Sequence, residues 1–283
     1  MSIDPAWLGT QFPDLTAIAP IGVGGQKVVF SASHPTDGEV VLKLINPTHN
    51  PEDARREMLA VLQVQSPRVP KILEHGVVAT SFGSSIWIRE QRVNGITLRE
   101  CLQSGPLDTT RLLKLGLQTL EALAAAEQVH IVHRDVKPEN IMCDGNNDFW
   151  LLDFGLARHL HLNSLTATAA HWGKGTPGYS PPEQLRNLKP NIDARSDLFA
   201  LGITLYESAC GVNPFIDGTR DALERIRRTE TLALPPLTLG FGAANDFRDL
   251  VMTMAQKRFD HRPTTAEEAL EWMREVCAKE HII

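Results

Sequence analysis

The sequence predicts an α+β fold in which a small β-rich lobe comes before a larger α-helical lobe. Short apolar segments, rich in β-formers and separated by turn residues, dominate up to about residue 93. From about residue 94 the apolar segments are longer and have helical periodicity. A chain of 283 residues is also long enough to bury a sizeable core.

The β-rich lobe is predicted to contain strands, a hairpin and one helix. Apolar and β-branched runs predict the strands 17–23, 28–34, 39–45, 71–75 and 85–90. Residues 35–38 (Pro-Thr-Asp-Gly) are typical of a hairpin connection. A helix is predicted from Asn50 to about Val64, because Asn50 is a good N-cap and Pro51 fits the first turn.

The helical lobe is predicted from five apolar segments: 109–128, 196–210, 219–230, 244–257 and 264–279. The first of these carries six leucines, which is dense enough for a helix buried on more than one side. The sequence contains no internal repeat and no low-complexity segment.

Composition argues against several classes of protein. The net charge is −6, so the chain lacks the basic footprint of a nucleic-acid-binding protein. The N-terminus has no basic region followed by an apolar run, and no apolar run is long enough to span a bilayer, so no membrane association is expected. The four cysteines are scattered singly, which predicts reduced thiols and a cytoplasmic location.

The residues that carry chemistry lie in two neighbouring segments of the helical lobe. Residues 133–140 read His-Arg-Asp-Val-Lys-Pro-Glu-Asn, and Asp153-Phe154-Gly155 follows soon after. Alone, Asp-Phe-Gly is common by chance, and His-Arg-Asp is typical of a surface turn. Together they supply an acid, a lysine, an asparagine and a second acid, the set that phosphoryl transfer from a metal-bound nucleotide requires.

These motifs resemble those of the eukaryotic-type (Hanks-type) protein kinase family. A lysine two positions after Asp135 resembles its serine/threonine branch, and the chain is similar to soluble bacterial members. The resemblance covers residues 14–278 and implies one bilobed protein-kinase domain. Its N-lobe would be about 14–93 and its C-lobe about 94–278.

The resemblance implies roles for the catalytic residues. Asp135 would orient the substrate hydroxyl, and Lys137 would neutralise the transferring phosphate. Thr176 would contact the side chains of Asp135 and Lys137. Asn140 and Asp153 would hold the metal ion.

The nucleotide site is implied in the same way. Its expected residues are Ile21, Gly22, Val23, Gly24, Gly25, Val29, Val41, Lys43, Gln91, Val93 and Met142. Lys43 would hold the nucleotide phosphates while paired with Glu57. Glu52 competes for that pairing, but its place in the first helical turn is better explained by the helix dipole.

Three positions of the nucleotide-binding half depart from the family pattern. Gln26 stands in place of the usual aromatic residue at the tip of the glycine-rich loop, and Lys27 in place of the third glycine. We expect Lys27 to point to solvent, with a phosphate contact as the alternative. Glu90 falls at the gatekeeper position, where it is either a polar wall to the back pocket or a sign that the register is shifted by one.

Residues after the second acid resemble an activation segment and its anchors. Glu183 and Arg262 are expected to pair, and Asp197 is expected to brace the catalytic loop. Ser164, Thr166 and Thr168 form a hypothetical phosphorylation region that would pair with Arg134; the alternative is an ordinary polar loop.

The function implied is an ATP-dependent serine/threonine kinase that transfers the γ-phosphate to protein substrates and to itself. The expected cofactors are ATP and Mg²⁺, with Mn²⁺ as the alternative ion. Expected partners are protein substrates, with a regulatory partner or a transient homodimer in addition. The competing interpretations are a pseudokinase scaffold and a small-molecule phosphotransferase. The complete activation segment argues against the latter.

Overall fold

The computed structural model describes residues 3–23, 27–45, 59–81, 83–154 and 175–282. Its N-terminal part is a five-stranded antiparallel sheet and its C-terminal part is mainly helical, which confirms the predicted α+β architecture. The strands of the sheet are β1 (Thr16–Val23), β2 (Lys27–His34), β3 (Gly38–Ile45), β4 (Ile72–Thr80) and β5 (Gly83–Gln91). They lie in the order β1-β2-β3-β5-β4.

One face of this sheet packs against helix α1 (Pro5–Gln11), which the sequence reasoning missed. Asp4 caps the helix by accepting a hydrogen bond from the Ala6 amide. The buried residues of this layer are Leu8, Phe12, Leu15, Val28, Phe30, Ala32, Val40, Leu42 and Leu44. In β2 and β3 they alternate with residues of the opposite face, as the strand period of two requires.

The opposite face of the sheet carries several residues of the predicted nucleotide site. Val29 pairs with Lys43, and Val41 pairs with Glu90 across β3 and β5. Directly paired residues of antiparallel strands project to the same face. Lys27, two residues before Val29, therefore shares this face.

The helical lobe is built around two long buried helices. Its described helices are α2 (Leu98–Leu102), α3 (Thr109–Gln128), α4 (Pro182–Leu185), α5 (Ala194–Cys210), α6 (Ala222–Thr231), α7 (Ala244–Met254) and α8 (Ala266–Lys279). Helix α3 has the predicted bounds and packs against α5 and α8. Helix α5 is buried along most of its length.

Capping residues set several helix starts that periodicity placed two or three residues away. Asp193 caps α5, Asp221 caps α6, and Thr265 caps α8, each through its side-chain oxygen. The predicted segments began at residues 196, 219 and 264. Hydrophobic periodicity does not indicate which polar residue accepts hydrogen bonds from the first free amides of a helix.

A second, three-stranded sheet aligns the functional loops. Strands β6 (Gly95–Thr97), β7 (Ile141–Asp144) and β8 (Phe149–Leu151) are antiparallel neighbours in that order. The Leu152 amide also donates to the Asn140 carbonyl at 2.9 Å. The sheet therefore holds the residues just before β7 beside those just after β8.

The predicted helix 50–64 is described only from residue 59, and residues 59–61 are helical. The predicted strand 71–75 extends to Thr80, where it meets β5 in a hairpin. Within the described ranges, no helix combines the length and apolar character needed to cross a membrane.

Candidate active site

Four polar side chains form a hydrogen-bonded cluster around the loop that precedes β7. Asp135 Oδ2 accepts hydrogen bonds from Lys137 Nζ at 2.7 Å and from Asn140 Nδ2 at 2.9 Å. The Thr176 hydroxyl donates to Asp135 Oδ1 at 2.6 Å and accepts from Lys137 Nζ at 2.8 Å. The structure thus brings Thr176, from a distant segment, into contact with both Asp135 and Lys137.

Asp197 holds the backbone of this loop through hydrogen bonds, as predicted from the sequence. One carboxylate oxygen of Asp197 accepts from the His133 amide and the other from the Arg134 amide, each at 2.7 Å. Arg134 has φ +68°, a left-handed conformation that needs such support. Gln184 adds a hydrogen bond from its Nε2 to the Arg134 carbonyl at 2.7 Å. Burial raises the pKa of Asp197.

The segment after β8 places one acid in the cleft and one aromatic ring in the core. Asp153 has φ +63°. The next residue, Phe154, is buried and packs edge-on against the His133 ring, with centroids 4.7 Å apart. His133 also contacts the Leu152 carbonyl through Nε2 at 2.7 Å. Sequential residues therefore point in different directions, which leaves the carboxylate facing the sheet.

A network of four charged side chains joins this carboxylate to the sheet. Lys43 Nζ lies 2.6 Å from Asp153 Oδ1, and Lys27 Nζ lies 2.7 Å from Asp153 Oδ2. Lys43 also forms an ion pair with Glu90. The Lys43 side chain is only 5% exposed, so the pair with each carboxylate offsets the cost of burying its charge.

The proton affinities in this network follow from burial and charge. Burial acts to raise the pKa of Asp153, but Lys43 and Lys27 overcome that effect and hold the pKa well below its usual range. Burial also acts to lower the pKa of Lys43, yet Asp153 and Glu90 raise it above its ordinary value. Burial raises the pKa of Glu90, assisted by the nearby Asp153 charge and opposed by Lys43.

The expectation that Lys27 points to solvent is wrong. Its side chain is 19% exposed and its ammonium group is bound to Asp153. Strand alternation could have predicted this orientation, because Lys27 lies two residues before Val29 and therefore shares its face of the sheet. Glu90 is a buried polar wall, which agrees with the first of the two interpretations of that position. Glu57, the expected partner of Lys43, lies outside the described residues.

The other predicted nucleotide-site residues that the structure describes lie in the five-stranded sheet, in its connection to β6 and in β7. Val29 and Val41 share the sheet face of Lys43. Ile21 and Val23, at the end of β1, are exposed apolar residues, and Gly22 lies between them. Gln91 ends β5, and Val93 follows in the connection to β6. Met142 lies in β7, whereas Gly24 and Gly25 lie outside the described residues.

Residues 15–273 of this chain match the protein kinase domain. The chain belongs to the protein kinase family. The β-rich N-lobe, the helical C-lobe and the loops between them are the parts of this kinase domain.

Curated relatives of this kinase carry serine/threonine-kinase names. Serine/threonine-protein kinase PknB of Mycolicibacterium smegmatis is 34% identical over 217 residues, which are 76% of this chain and 34% of the relative. PknB of Mycobacterium tuberculosis is 33% identical over 217 residues, with the same coverage. A probable serine/threonine-protein kinase of Clostridium perfringens is 29% identical over 259 residues, 88% of this chain and 36% of the relative. The chain spans about a third of the length of these relatives.

Protein kinases use ATP and a divalent metal ion, and the donor atoms present in this kinase fit such an ion. Asn140 turns its amide nitrogen toward Asp135, so its oxygen is the atom available to a cation. Asp153 adds a carboxylate. No three His, Cys, Asp or Glu side chains in the described part of the chain form a metal-binding group. This sparse oxygen set suits an ion that takes its other ligands from nucleotide phosphates and water.

A further ionic cluster, which the sequence reasoning missed, joins α2, α5 and the segment before α4 to the catalytic loop (residues 133–140). Arg99 of α2 donates to Glu139 at 2.8 Å, to Glu207 of α5 at 2.6 Å and to the Tyr179 hydroxyl at 2.5 Å. Tyr179 in turn donates to Glu207 at 2.5 Å. No periodicity marks these residues, because their partners are 28 to 108 positions apart.

Proposed function

We propose that this kinase domain transfers the γ-phosphate of ATP to serine and threonine hydroxyls of protein substrates, including its own. The observation that carries the proposal is the Asp135–Lys137–Thr176 cluster. It combines a carboxylate able to take a proton, a fixed positive charge and a hydroxyl that holds both in place. The names of the curated relatives support the same activity.

In the proposed reaction, a substrate hydroxyl attacks the γ-phosphorus while the bond from that phosphorus to the β-phosphate oxygen breaks. Asp135 orients the hydroxyl and takes its proton, and ADP leaves with the bonding electrons. Lys137 offsets the negative charge on the transferring group. Lys43 orients the phosphates from the sheet side.

A divalent ion held by Asn140 and Asp153 would neutralise phosphate charge. We propose Mg²⁺ as the physiological ion, with Mn²⁺ as the alternative, because oxygen ligands suit both. Val29, Val41 and Met142 are proposed to enclose adenine, with backbone groups of Gln91 and Val93 at its edge.

A protein substrate, a regulatory partner or transient homodimer, and a cytoplasmic location are parts of the same proposal. The peptide-substrate assignment is supported by the Tyr179 contacts, which fix the segment before α4 against α5. The location is supported by four free cysteines, as expected of a reducing compartment.

The test is incubation with radiolabelled ATP and Mg²⁺, with and without a generic basic protein substrate, followed by phosphoamino-acid analysis. Wild type is expected to label serine or threonine. Asp135→Asn removes the proton acceptor and is expected to lower the rate by about 10²–10⁴-fold while the protein stays folded. Circular dichroism checks the folding of both proteins.

The pseudokinase scaffold is the competing function, supported by the departures at Gln26, Lys27 and Glu90. It predicts no label on any hydroxyl, even though the protein is folded and binds nucleotide. Equal labelling by wild type and Asp135→Asn would also defeat our assignment, because it would trace the activity to a contaminating kinase.

A further inference from the structure

The ammonium group of Lys27 lies against the carboxylate of Asp153. Lys27 is the first residue of β2, and its Nζ lies 2.7 Å from Asp153 Oδ2, across the cleft between the lobes. Both side chains are 19% exposed. The contact is therefore a largely buried ion pair onto the carboxylate that we propose as a metal ligand.

The two lysines on this carboxylate are held unequally. Lys43 has a second buried carboxylate, Glu90, on the same sheet face. For Lys27, the only ion pair or side-chain hydrogen bond within the described ranges is the one to Asp153. Lys27 has fewer carboxylate partners than Lys43, so a cation that binds Asp153 would displace Lys27 more readily.

A divalent ion on Asp153 changes the balance of charge around both lysines. With two lysines and two carboxylates the network is neutral, so a metal ion adds two uncompensated positive charges. Like charges a few ångströms apart repel each other strongly in a partly buried site. The triphosphate that accompanies the metal ion would restore the balance, because its net charge is negative.

We propose that Lys27 is a phosphate-contacting residue of the nucleotide site. It neutralises Asp153 when no metal ion is bound, and it moves to the triphosphate when the metal–nucleotide complex takes that carboxylate. Lys43 stays with Glu90 and Asp153, so the site acts on the phosphates with two lysines from one sheet face. This inference rests on the proposed function, since it requires ATP as the ligand.

The experiment measures affinities by calorimetry with excess Mg²⁺ for two probes, a non-hydrolysable ATP analogue and adenosine. The proteins are wild type, Lys27→Met, Lys27→Arg and the control Lys279→Met. Lys279 also lies 2.7 Å from an aspartate, Asp246, but on the exposed surface of the C-lobe. Thermal melting checks that each variant is folded, and Lys27→Gln, which also removes the charge, replaces the methionine variant if that variant is unstable.

If Lys27 contacts the phosphates, its replacement lowers the affinity only for the ligand that carries phosphates. Lys27→Met is expected to bind the ATP analogue about 10-fold more weakly, because a charge-assisted hydrogen bond is lost. Its adenosine affinity is expected to stay within about twofold of wild type. Lys27→Arg is expected to keep most of the affinity, and Lys279→Met all of it.

Three results would overturn the inference while leaving the proposed function intact. They are, for Lys27→Met, unchanged binding of the analogue, tighter binding of the analogue, and an affinity for adenosine that falls as much as the affinity for the analogue. The second would make Lys27 only a competitor of the metal ion, and the third would make it a structural residue. A folded wild-type protein that binds neither probe would instead remove the proposed function and this inference together.

Discussion

Asp153 is the residue on which the two lobes converge. Its left-handed backbone turns the carboxylate toward the sheet, where Lys27 and Lys43 each take one oxygen. A carboxylate left unpaired in a buried site is costly, so the two ammonium groups make this conformation tolerable. They also hold the pKa of Asp153 well below its usual range, so the group is ionised at neutral pH.

Lys257, unlike Asp153, has a buried charged group without a partner in the described part of the chain. Its Nζ is buried and has no hydrogen-bond partner among the described residues. It lies 3.8 Å from the centroid of the Phe215 ring and 5.3 Å from that of Phe199, and these ring faces stabilise its charge only in part. Burial, with a smaller effect from Arg262, lowers the pKa of Lys257 to about 7.

The pH dependence of this position follows from its lowered pKa. The unfolded lysine has a pKa of about 10.4. Between about pH 7 and pH 10 this lysine therefore binds more protons in the unfolded chain than in the folded one, so its contribution to stability rises with pH. Lys257→Met is expected to raise the free energy of unfolding by about 1–3 kcal/mol at pH 7, with a shrinking gain toward pH 10.

Urea unfolding of wild type and Lys257→Met at pH 7 and pH 9.5 measures this difference. Lys189→Met, at an exposed position, is the control and is expected to change nothing at either pH. A methionine variant that is less stable than wild type, or whose advantage grows with pH, would contradict the assignment of an uncompensated buried amine.

At the scale of elements, the start of α5 is what fixes the catalytic loop. Asp197, in the first turn of this buried helix, holds two successive loop amides that have no helix or strand of their own. A helix anchored in the core thereby lends its rigidity to a loop with a left-handed residue at Arg134. The geometry of the Asp135 cluster depends on this support.

Asp197→Ala is expected to lower phosphoryl transfer sharply and to cost about 2–4 kcal/mol of stability, because two buried amides lose their acceptors. Asp193→Ala is the matched control. It removes an aspartate at the same helix start that accepts from the Arg195 amide, but it leaves the catalytic loop alone. Its expected cost is about 1 kcal/mol, with activity retained. Urea denaturation and the labelling assay provide both readouts, and equal activity in the two variants would refute the bracing role.

At the scale of the whole molecule, one buried ion pair joins distant parts of the C-lobe. Arg262 donates to both oxygens of Glu183 in α4, at 2.6 and 3.0 Å. Their side chains are 0% and 3% exposed. Arg262 also donates to the carbonyls of Arg195, Gln256 and Lys257, so the guanidinium connects α4, the start of α5 and the segment before α8.

Arg262→Ala is expected to destabilise the protein by about 3–5 kcal/mol, because it leaves the Glu183 carboxylate buried without its counter-charge, with the Ser196 hydroxyl as a remaining donor. In a domain of this size that loss lowers the melting temperature by about 10 °C. Arg274→Ala breaks a pair in which the arginine is 41% exposed, and it is expected to cost less than about 0.5 kcal/mol. Calorimetric melting compares the two. Similar melting temperatures for both variants would show that the buried pair does not anchor the lobe.

The sequence alone was enough to predict several parts of the fold. Strand alternation and turn residues located β2 and β3, and the dense leucines of 109–128 gave the bounds of α3. Short elements escaped prediction, among them α1 and β6, because a few residues hold too little periodicity. Helix starts shifted because caps are local hydrogen bonds, which apolar patterns do not record.

By itself, the sequence determined the order of the lobes and the residue types at the candidate site, since motifs such as 133–140 and Asp153-Phe154 place several chemical groups within one local segment. Only the tertiary structure decided that Lys27 and Lys43 share the Asp153 carboxylate and that Glu90 balances Lys43. Alternation within a strand fixes which face a side chain takes, but not what lies opposite that face. Here the partners are up to 126 residues apart, and they meet only because the two lobes close around a common cleft.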